Sequence, residues 1–301
     1  MITTRNLTKV YGEKAAVNNL NLEVGDGEVF GFLGPNGAGK STTILMLTGM
    51  IEPTSGNCLV DGIDVARNPL KAKEIIGYLP EDVGFYGNLT AEQNLDYVGK
   101  FYPMSSKIRR ERIASLLELV RLKDVTQTVG GYSRGMNQRL GLAQALLNDP
   151  KVVILDEPTA NLDPEGVFQF REIIRQLSEE GKTILICSHV LSEIKQVCKT
   201  LGILSQGELV ARGSVEEVEK QLIEKSKIPL KIILETKETL PEIKDPNIEK
   251  IEIDGNHAVI YTQKDIRNEL SDLLRKDFGI IEMHLESPAL EELFLNVYRR
   301  E

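Results

Sequence analysis

Cysteine is scarce: Cys58, Cys187 and Cys198 are the only three in 301 residues. An odd number without paired-ligand spacing excludes a disulfide framework or a cysteine zinc site, and leaves buried apolar thiols as the simplest reading. Basic charge is short as well. Lys and Arg number 36 against 45 Asp and Glu, a net charge of −9. A general nucleic-acid surface needs clustered Lys and Arg in excess, so no nucleic-acid partner is expected. Long apolar runs are missing too. None approaches the roughly eighteen residues of a spanning helix, and the opening "MITTRNLTKVYG" lacks the basic start and apolar core of a secretion signal. The expected location is cytosolic or peripheral to a membrane.

What is present is an ordinary globular composition, 41% hydrophobic and 27% charged, long enough for two cores. Three textures follow one another without an internal repeat. Residues 1 to about 84 alternate short apolar strands with Gly-rich turns, interrupted by one helix after Lys40, which predicts mixed sheet. Residues 85 to about 150 turn helical, with "AEQNLDYVGKFY", "SSKIRRERIASLLELVRL" and "GMNQRLGLAQALLND" as three helices. Thr90 and Gln93 form a capping-box start for the first.

From 151 strands and helices alternate: "KVVILDEP", a helix near "EGVFQFREIIRQLSEEG", "KTILICSH", then a helix near "LSEIKQVCK". Apolar strands ending in polar residues predict a parallel sheet with its site at the carboxyl edge. The hairpin "LGILSQGELVARG" closes this unit. A charged helix, "EEVEKQLIEKSKIP", is broken at Pro229, which sets a domain boundary near 225. Beyond it, four strands surround the helix "DIRNELSDLLRKDFG". The order is close to a ferredoxin-like split unit, with a weak first helix near "TLPEIK" and a last helix over "ALEELFLNVYRR".

The chemistry starts at Gly34, Gly39, Lys40 and Ser41, which fit the phosphate-loop spacing of Gly, four residues, then Gly-Lys-Ser or Thr. Glycines let backbone N–H groups wrap phosphates, Lys40 reaches the terminal ones, and the Ser41 hydroxyl suits Mg²⁺. The apolar "EVFGFLG" before it and "STTILMLTGM" after it supply strand, loop and helix. Such a loop needs a carboxylate for the metal, and "VVILDE" offers Asp156, with Glu157 next to it to orient or deprotonate an attacking water. Alone, two acids at a strand end read as solvated turn residues; beside a phosphate loop they read as a site. His189 ends another apolar strand and reaches the same edge. His257 and His284 read as strand-face residues.

"GPNGAGKST", "SRGMNQRLGLAQALLNDPKVVILDEPTANLD" and "CSH", in this order and spacing, resemble the ATP-binding subunit of an ABC transporter over residues 1 to about 222. The resemblance implies an α/β P-loop ATPase core of mixed sheet, antiparallel β subdomain and helical subdomain (about 85 to 150), followed by the ferredoxin-like α+β domain at 226–301. It implies ATP and Mg²⁺ as ligands, with Tyr11 stacking on adenine and Val17 packing near it. Asn36, Gly37, Ala38, Gly39, Lys40, Ser41 and Thr42 would bind phosphates, and Ser41 and Asp156 the metal. Glu157 would handle the water, His189 the γ-phosphate, and Asp163 the loop between two sites.

The stretch "GYSRGM" stands where the family has its signature loop, usually Leu-Ser-Gly-Gly-Gln. Ser133 and Gly135 match; Tyr132, Arg134 and Met136 depart. In the family this loop faces the γ-phosphate held by the other subunit, so the resemblance implies a second ATP-binding subunit, identical or closely related, and membrane-spanning permease subunits. Glu81 stands where the family has Gln, and as a hard-oxygen ligand it fits a metal contact. Together with the C-terminal domain, these departures resemble the export branch whose membrane subunits are separate chains, at the cytoplasmic face of the cell membrane. A soluble relative in DNA repair or translation is the alternative. It fits less well, because such members carry two cassettes or a long coiled coil, and neither is present here. A regulatory module with little turnover is disfavoured by the intact Glu157 and His189.

Overall fold

Strands Val29–Leu33, Val152–Asp156 and Thr183–Ser188 are buried at every position, as strands covered on both faces of a parallel sheet must be. The computed structural model describes residues 1–160, 162–226, 228–241, 243–274, 278–286 and 292–293. In it these strands are the centre of a six-stranded sheet ordered Glu208–Ser214, Thr200–Ser205, Val29–Leu33, Thr183–Ser188, Val152–Asp156, Ile76–Leu79. All neighbours are parallel except the Glu208–Ser214 edge. The registers pair Leu33 with Ser188 and Asp156 with Cys187. Five strands therefore end at one edge, and the phosphate loop, Glu81, Glu157 and His189 leave from four of them.

Against this sheet lies an antiparallel one built on Ile2–Tyr11, which pairs with Lys14–Leu20, Glu23–Val24 and Ser55–Val60. The shared core holds Ile2, Leu7 and Val60 from the second sheet, Phe30 and Phe32 from the first, and Ile44 and Leu47 of the helix Lys40–Leu47 between them. Each such side chain contributes about 1.5–3 kcal/mol by leaving water, which fixes the helix, and its N-terminus, against the strand ends. All three cysteines are buried and unpaired.

The helical region contains Ala91–Gly99, Ser106–Leu119 and Arg134–Ala145. Thr90 and Gln93 make the expected capping box. Three expectations are corrected. A further helix, Pro69–Ile75, occurs in the first region, where one helix was expected. The stretch "LSEIKQVCK" is helical only over Leu191–Ile194, and no described residue of "TLPEIK" is helical. The helix expected over "ALEELFLNVYRR" lies almost wholly outside the described residues. Among the described residues no helix is long and apolar enough to cross a membrane.

Contacts divide the chain into two units, Met1–Val215 and Glu216–Glu301; the expected boundary at 225 falls at the end of the helix Val215–Ser226. In the second unit four antiparallel strands are ordered Ile248–Asp254, His257–Thr262, Leu230–Thr236, Ile280–Glu286. That is the ferredoxin-like order, second, third, first, fourth. Helix Arg267–Leu274 covers the core formed by Ile232, Leu234 and Ile260. Leu240 and Ile243, in the irregular segment between the first two strands, are buried in the same core.

Candidate functional site

The helix Lys40–Leu47 starts without a side-chain cap, so its first N–H groups are left for an anion, which the helix dipole also favours. Gly39 sits at φ +106°, and a Cβ there would stand 2.4 Å from the Ala16 carbonyl oxygen; at Gly34 it would stand 2.6 Å from that of Leu204. No other residue type fits either position. The loop is thus held by close backbone packing around a cleft of about 330 Å³, lined by Tyr11, Lys14, Ala16, Pro35, Asn36, Gly37, Gly39, Lys40, Ser41, Thr42, Glu81 and Glu157.

At the cleft floor Lys40 is buried. Its Nζ donates to the carbonyls of Gly34 at 2.7 Å and Pro35 at 3.3 Å, and lies 3.5 Å from Glu157 Oε1. The other carboxylate oxygen of Glu157 accepts from His189 Nδ1–H at 2.9 Å. A carboxylate only accepts, so Nδ1 carries the proton in this bond and Nε2 is left facing away from Glu157. Glu157 is buried and stands at φ +46°, a left-handed conformation costing roughly 1–3 kcal/mol in a non-glycine residue. Its N–H donates to the Cys187 carbonyl at 2.9 Å, so the neighbouring strand end holds the strained turn.

Asp156 is buried, accepts from the Ser41 hydroxyl, and has its pKa pushed up to about 6, first by burial and then by the Glu157 charge. Its Oδ1 has no partner among the described residues. An unpaired buried carboxylate oxygen beside a hydroxyl suits a hard divalent cation. Among the described residues no three His, Cys, Asp or Glu side chains form a cage of their own. A cation here would therefore complete its shell with phosphate oxygens and water, the pattern usual for Mg²⁺.

The structure brings together Tyr11, Asn36, Gly37, Gly39, Lys40, Ser41, Thr42, Glu81, Asp156, Glu157 and His189. Val17 and Ala38 are not on the cleft wall. Val17 is fully buried in the core and Ala38 almost so, while Lys14 and Ala16, unmarked in the sequence, line the cleft. Tyr11 is half exposed, with Lys9 Nζ 5.3 Å from its ring centroid.

Ser133, Gly135 and Asp163 lie elsewhere, in a second cleft of about 350 Å³ with Arg134, Arg139, Leu162, Glu165, Gly166 and Gln169. Two helix starts converge there. Ser133 Oγ caps Arg134–Ala145, accepting from Met136 N–H at 3.2 Å, and Asp163 caps Pro164–Glu179, accepting from Gly166 N–H at 2.7 Å. A Cβ on Gly135 would meet Leu162 Cδ2 at an ordinary 3.4 Å and Ser133 Oγ at 4.0 Å, and its φ is not positive. Nothing among the described residues requires glycine there. Arg139 also donates to the carbonyls of Val120 and Arg121, tying the cleft to the end of helix Ser106–Leu119.

Residues 17–160 match a family model described as ABC transporter. Over its whole length the chain is 33% identical to the linearmycin resistance ATP-binding protein LnrL of Bacillus subtilis (strain 168), covering 99% of that protein. Over 73% of its length it is 44% identical to the bacitracin transport ATP-binding protein BcrA of Bacillus licheniformis, covering 72% of that protein. The dimeric structure of MJ0796, a bacterial ABC transporter cassette, is similar at TM-score 0.66 and 28% identity, over 71% of this chain and 99% of that one. The same cassette has a dimeric structure in a post-hydrolysis state with ADP and Pi, at the same score and coverage. Family, fold and phosphate-loop chemistry agree: the chain belongs to the ATP-binding, ATP-hydrolysing proteins of the ABC transporter family.

Proposed function

We propose that this chain is the motor subunit of an exporter, working in pairs beneath membrane-spanning permease subunits at the cytoplasmic face of the cell membrane. The observation that carries the pairing is the separation of the two clefts, which share no lining residue. One holds the chain's own ATP; the other, built on Ser133, Gly135 and Asp163, closes over the partner's. The relatives named for linearmycin resistance and bacitracin transport support export. An exposed aromatic ladder supports a permease contact: Tyr86 and Tyr97 at 5.1 Å between centroids, Tyr97 and Phe101 at 5.6 Å. Exposed apolar clusters of this kind mark interaction surfaces.

In the closed site the phosphate-loop amides and Lys40 would hold the phosphates, Tyr11 would stack on the base, and Ser41, Asp156 and Glu81 would hold Mg²⁺. Bound there, the ion would supply charge neutralisation to the phosphates. Glu157 orients the water and takes its proton as the oxygen attacks the γ-phosphorus and the bond to the β-phosphate breaks, releasing ADP and phosphate. His189, its Nδ1–H bonded to Glu157, holds that carboxylate in place and contacts the γ-phosphate.

The test is complementation. Lys40→Ala disables a chain's own cradle, and Gly135→Asp sets a carboxylate against the partner's γ-phosphate. Each pure variant should be nearly inactive. A mixed dimer, verified by differential tags, contains one site with both lesions and one intact, so hydrolysis should return. In a Glu157→Gln background with ATP, cysteines at Ser133 and Asn36 should cross-link between chains. Cross-links found only within one chain would sink the paired reading.

A further inference from the structure

Glu81 leaves the edge strand Ile76–Leu79, whose neighbour Val152–Asp156 carries Asp156 at its end. The two carboxylates therefore face one region. Glu81 is exposed at the rim of the phosphate cleft, and among the described residues no cation pairs with it. Glu81, Asp156 and Glu157 thus bring three carboxylates to the cleft, against two cations: Lys40, already shared between Glu157 and two carbonyls, and Lys14 on the wall. Phosphates entering alone would add several negative charges to this excess. A divalent cation entering with them offsets that charge, and Asp156 and Glu81 can then serve as its ligands.

We propose that Glu81 makes this site selective for the metal complex of ATP and excludes metal-free nucleotide, so that cation and nucleotide enter as one ligand. The inference rests on the reading of the Lys40–Ser41 cleft as the Mg²⁺·ATP site. The side chain is poised for it. An exposed carboxylate costs little to keep charged while the cleft is empty, and its repulsion of phosphate is felt only on binding. A glutamine would offer an oxygen to the cation without the repulsion. Glu81 would also act chiefly on the outermost phosphate, so ATP should feel it more than ADP.

The experiment is equilibrium binding by calorimetry to the full chain, using the non-hydrolysable analogue AMP-PNP and ADP, each in Mg²⁺ and in EDTA. Between the bulk-water and near-surface limits, a unit charge several ångström from a phosphate is worth roughly tenfold in affinity. Glu81→Gln should therefore bind metal-free AMP-PNP roughly tenfold more tightly than the natural chain, gain clearly less for metal-free ADP, and stay within a few-fold in Mg²⁺. Glu81→Asp keeps the charge and should keep the natural metal dependence, which separates charge from a general disturbance of the loop. Equal metal-free affinities for Glu81→Gln and the natural chain would overturn the proposal while leaving the nucleotide site standing. A folded natural chain that binds neither nucleotide even in Mg²⁺ would overturn the site reading and this inference with it.

Discussion

Glu157→Gln isolates the chemical step. The amide keeps the side chain's shape and one oxygen, which still accepts from His189 Nδ1–H at the site of the present 2.9 Å bond. What is lost is the base and one of the carboxylate charges. Removing a positioned acid–base group slows a reaction by roughly 10²–10⁴-fold, or about 2.7–5.4 kcal/mol of barrier. Binding should move the other way, since the γ-phosphate meets less repulsion. Lys40 loses its counter-charge at 3.5 Å and keeps only the carbonyls of Gly34 and Pro35, so the empty variant should melt earlier than the natural chain. ATP should more than restore it: a ligand at a thousand times its Kd stabilises by roughly 4 kcal/mol. Phosphate release would report turnover, thermal melting the binding, and sizing the paired, ATP-loaded form. Turnover within threefold of the natural chain, with binding intact, would refute the base assignment and transfer it to His189.

Four other outcomes are expected. Gly135→Ala meets ordinary contacts only and improves helix propensity, so it should stabilise the empty chain by up to about 1 kcal/mol while lowering ATP-driven pairing seen by sizing. Ser133→Asp preserves the cap but brings a negative charge to the second cleft; the melting temperature should hold within a few degrees while pairing is lost, and retained pairing would reduce Ser133 to a cap. Asp156 has a folded pKa of about 6 against an ordinary value of 3.8, so its favourable contribution is full below about pH 4 and lost as pH rises through 6. Asp156→Asn should accordingly stabilise the metal-free chain at pH 7 by about 2–3 kcal/mol, with the gain vanishing near pH 4 in denaturant titrations. Burial pushes the Cys58 thiol up to about 12 and the Cys198 thiol well up, so iodoacetamide should label neither at pH 8 until the chain unfolds.

The phosphate loop, Asp156, Glu157 and His189 were legible because each depends on local geometry. Fixed glycine spacing makes the loop, and an apolar strand followed by a polar residue puts that residue at the sheet's carboxyl edge. The wall of the cleft was harder. On the strand Lys14–Leu20 successive side chains alternate in direction, and Ala16 lines the cleft while Val17, singled out by the resemblance, is buried in the core. Helix Pro69–Ile75 has seven residues and buries only Ala72, too little apolar surface to show a period. The opposite failure occurred at "LSEIKQVCK", where helical spacing is real but the chain must turn to enter the strand beginning at Thr200. Leu240 and Ile243 fill the place of a missing helix from an irregular segment, a tertiary solution with no local signature.

The second cleft was legible only through family resemblance, because its lining comes from two helix starts some thirty residues apart. Its physics nonetheless completes the first cleft's. At the start of Lys40–Leu47 the N–H groups have no side-chain cap, so a bound phosphate can take their place without displacing anything. At the start of Arg134–Ala145 Ser133 already satisfies one N–H. A hydroxyl that accepts at a cap still holds its own proton, and Ser133 can cap the helix and donate to a phosphate together. Asp163, a cap of the acceptor-only kind, cannot. The first cleft is built wholly from the chain itself, whereas the second offers one hydroxyl, a bare glycine and two arginines beside the acidic Asp163 and Glu165. That is too little to hold a free nucleotide and enough to close over one already held. On the proposed pairing, this asymmetry predicts that pairing follows ATP binding: the natural chain should run as a monomer in sizing without ATP, and a stable pair without nucleotide would refute it.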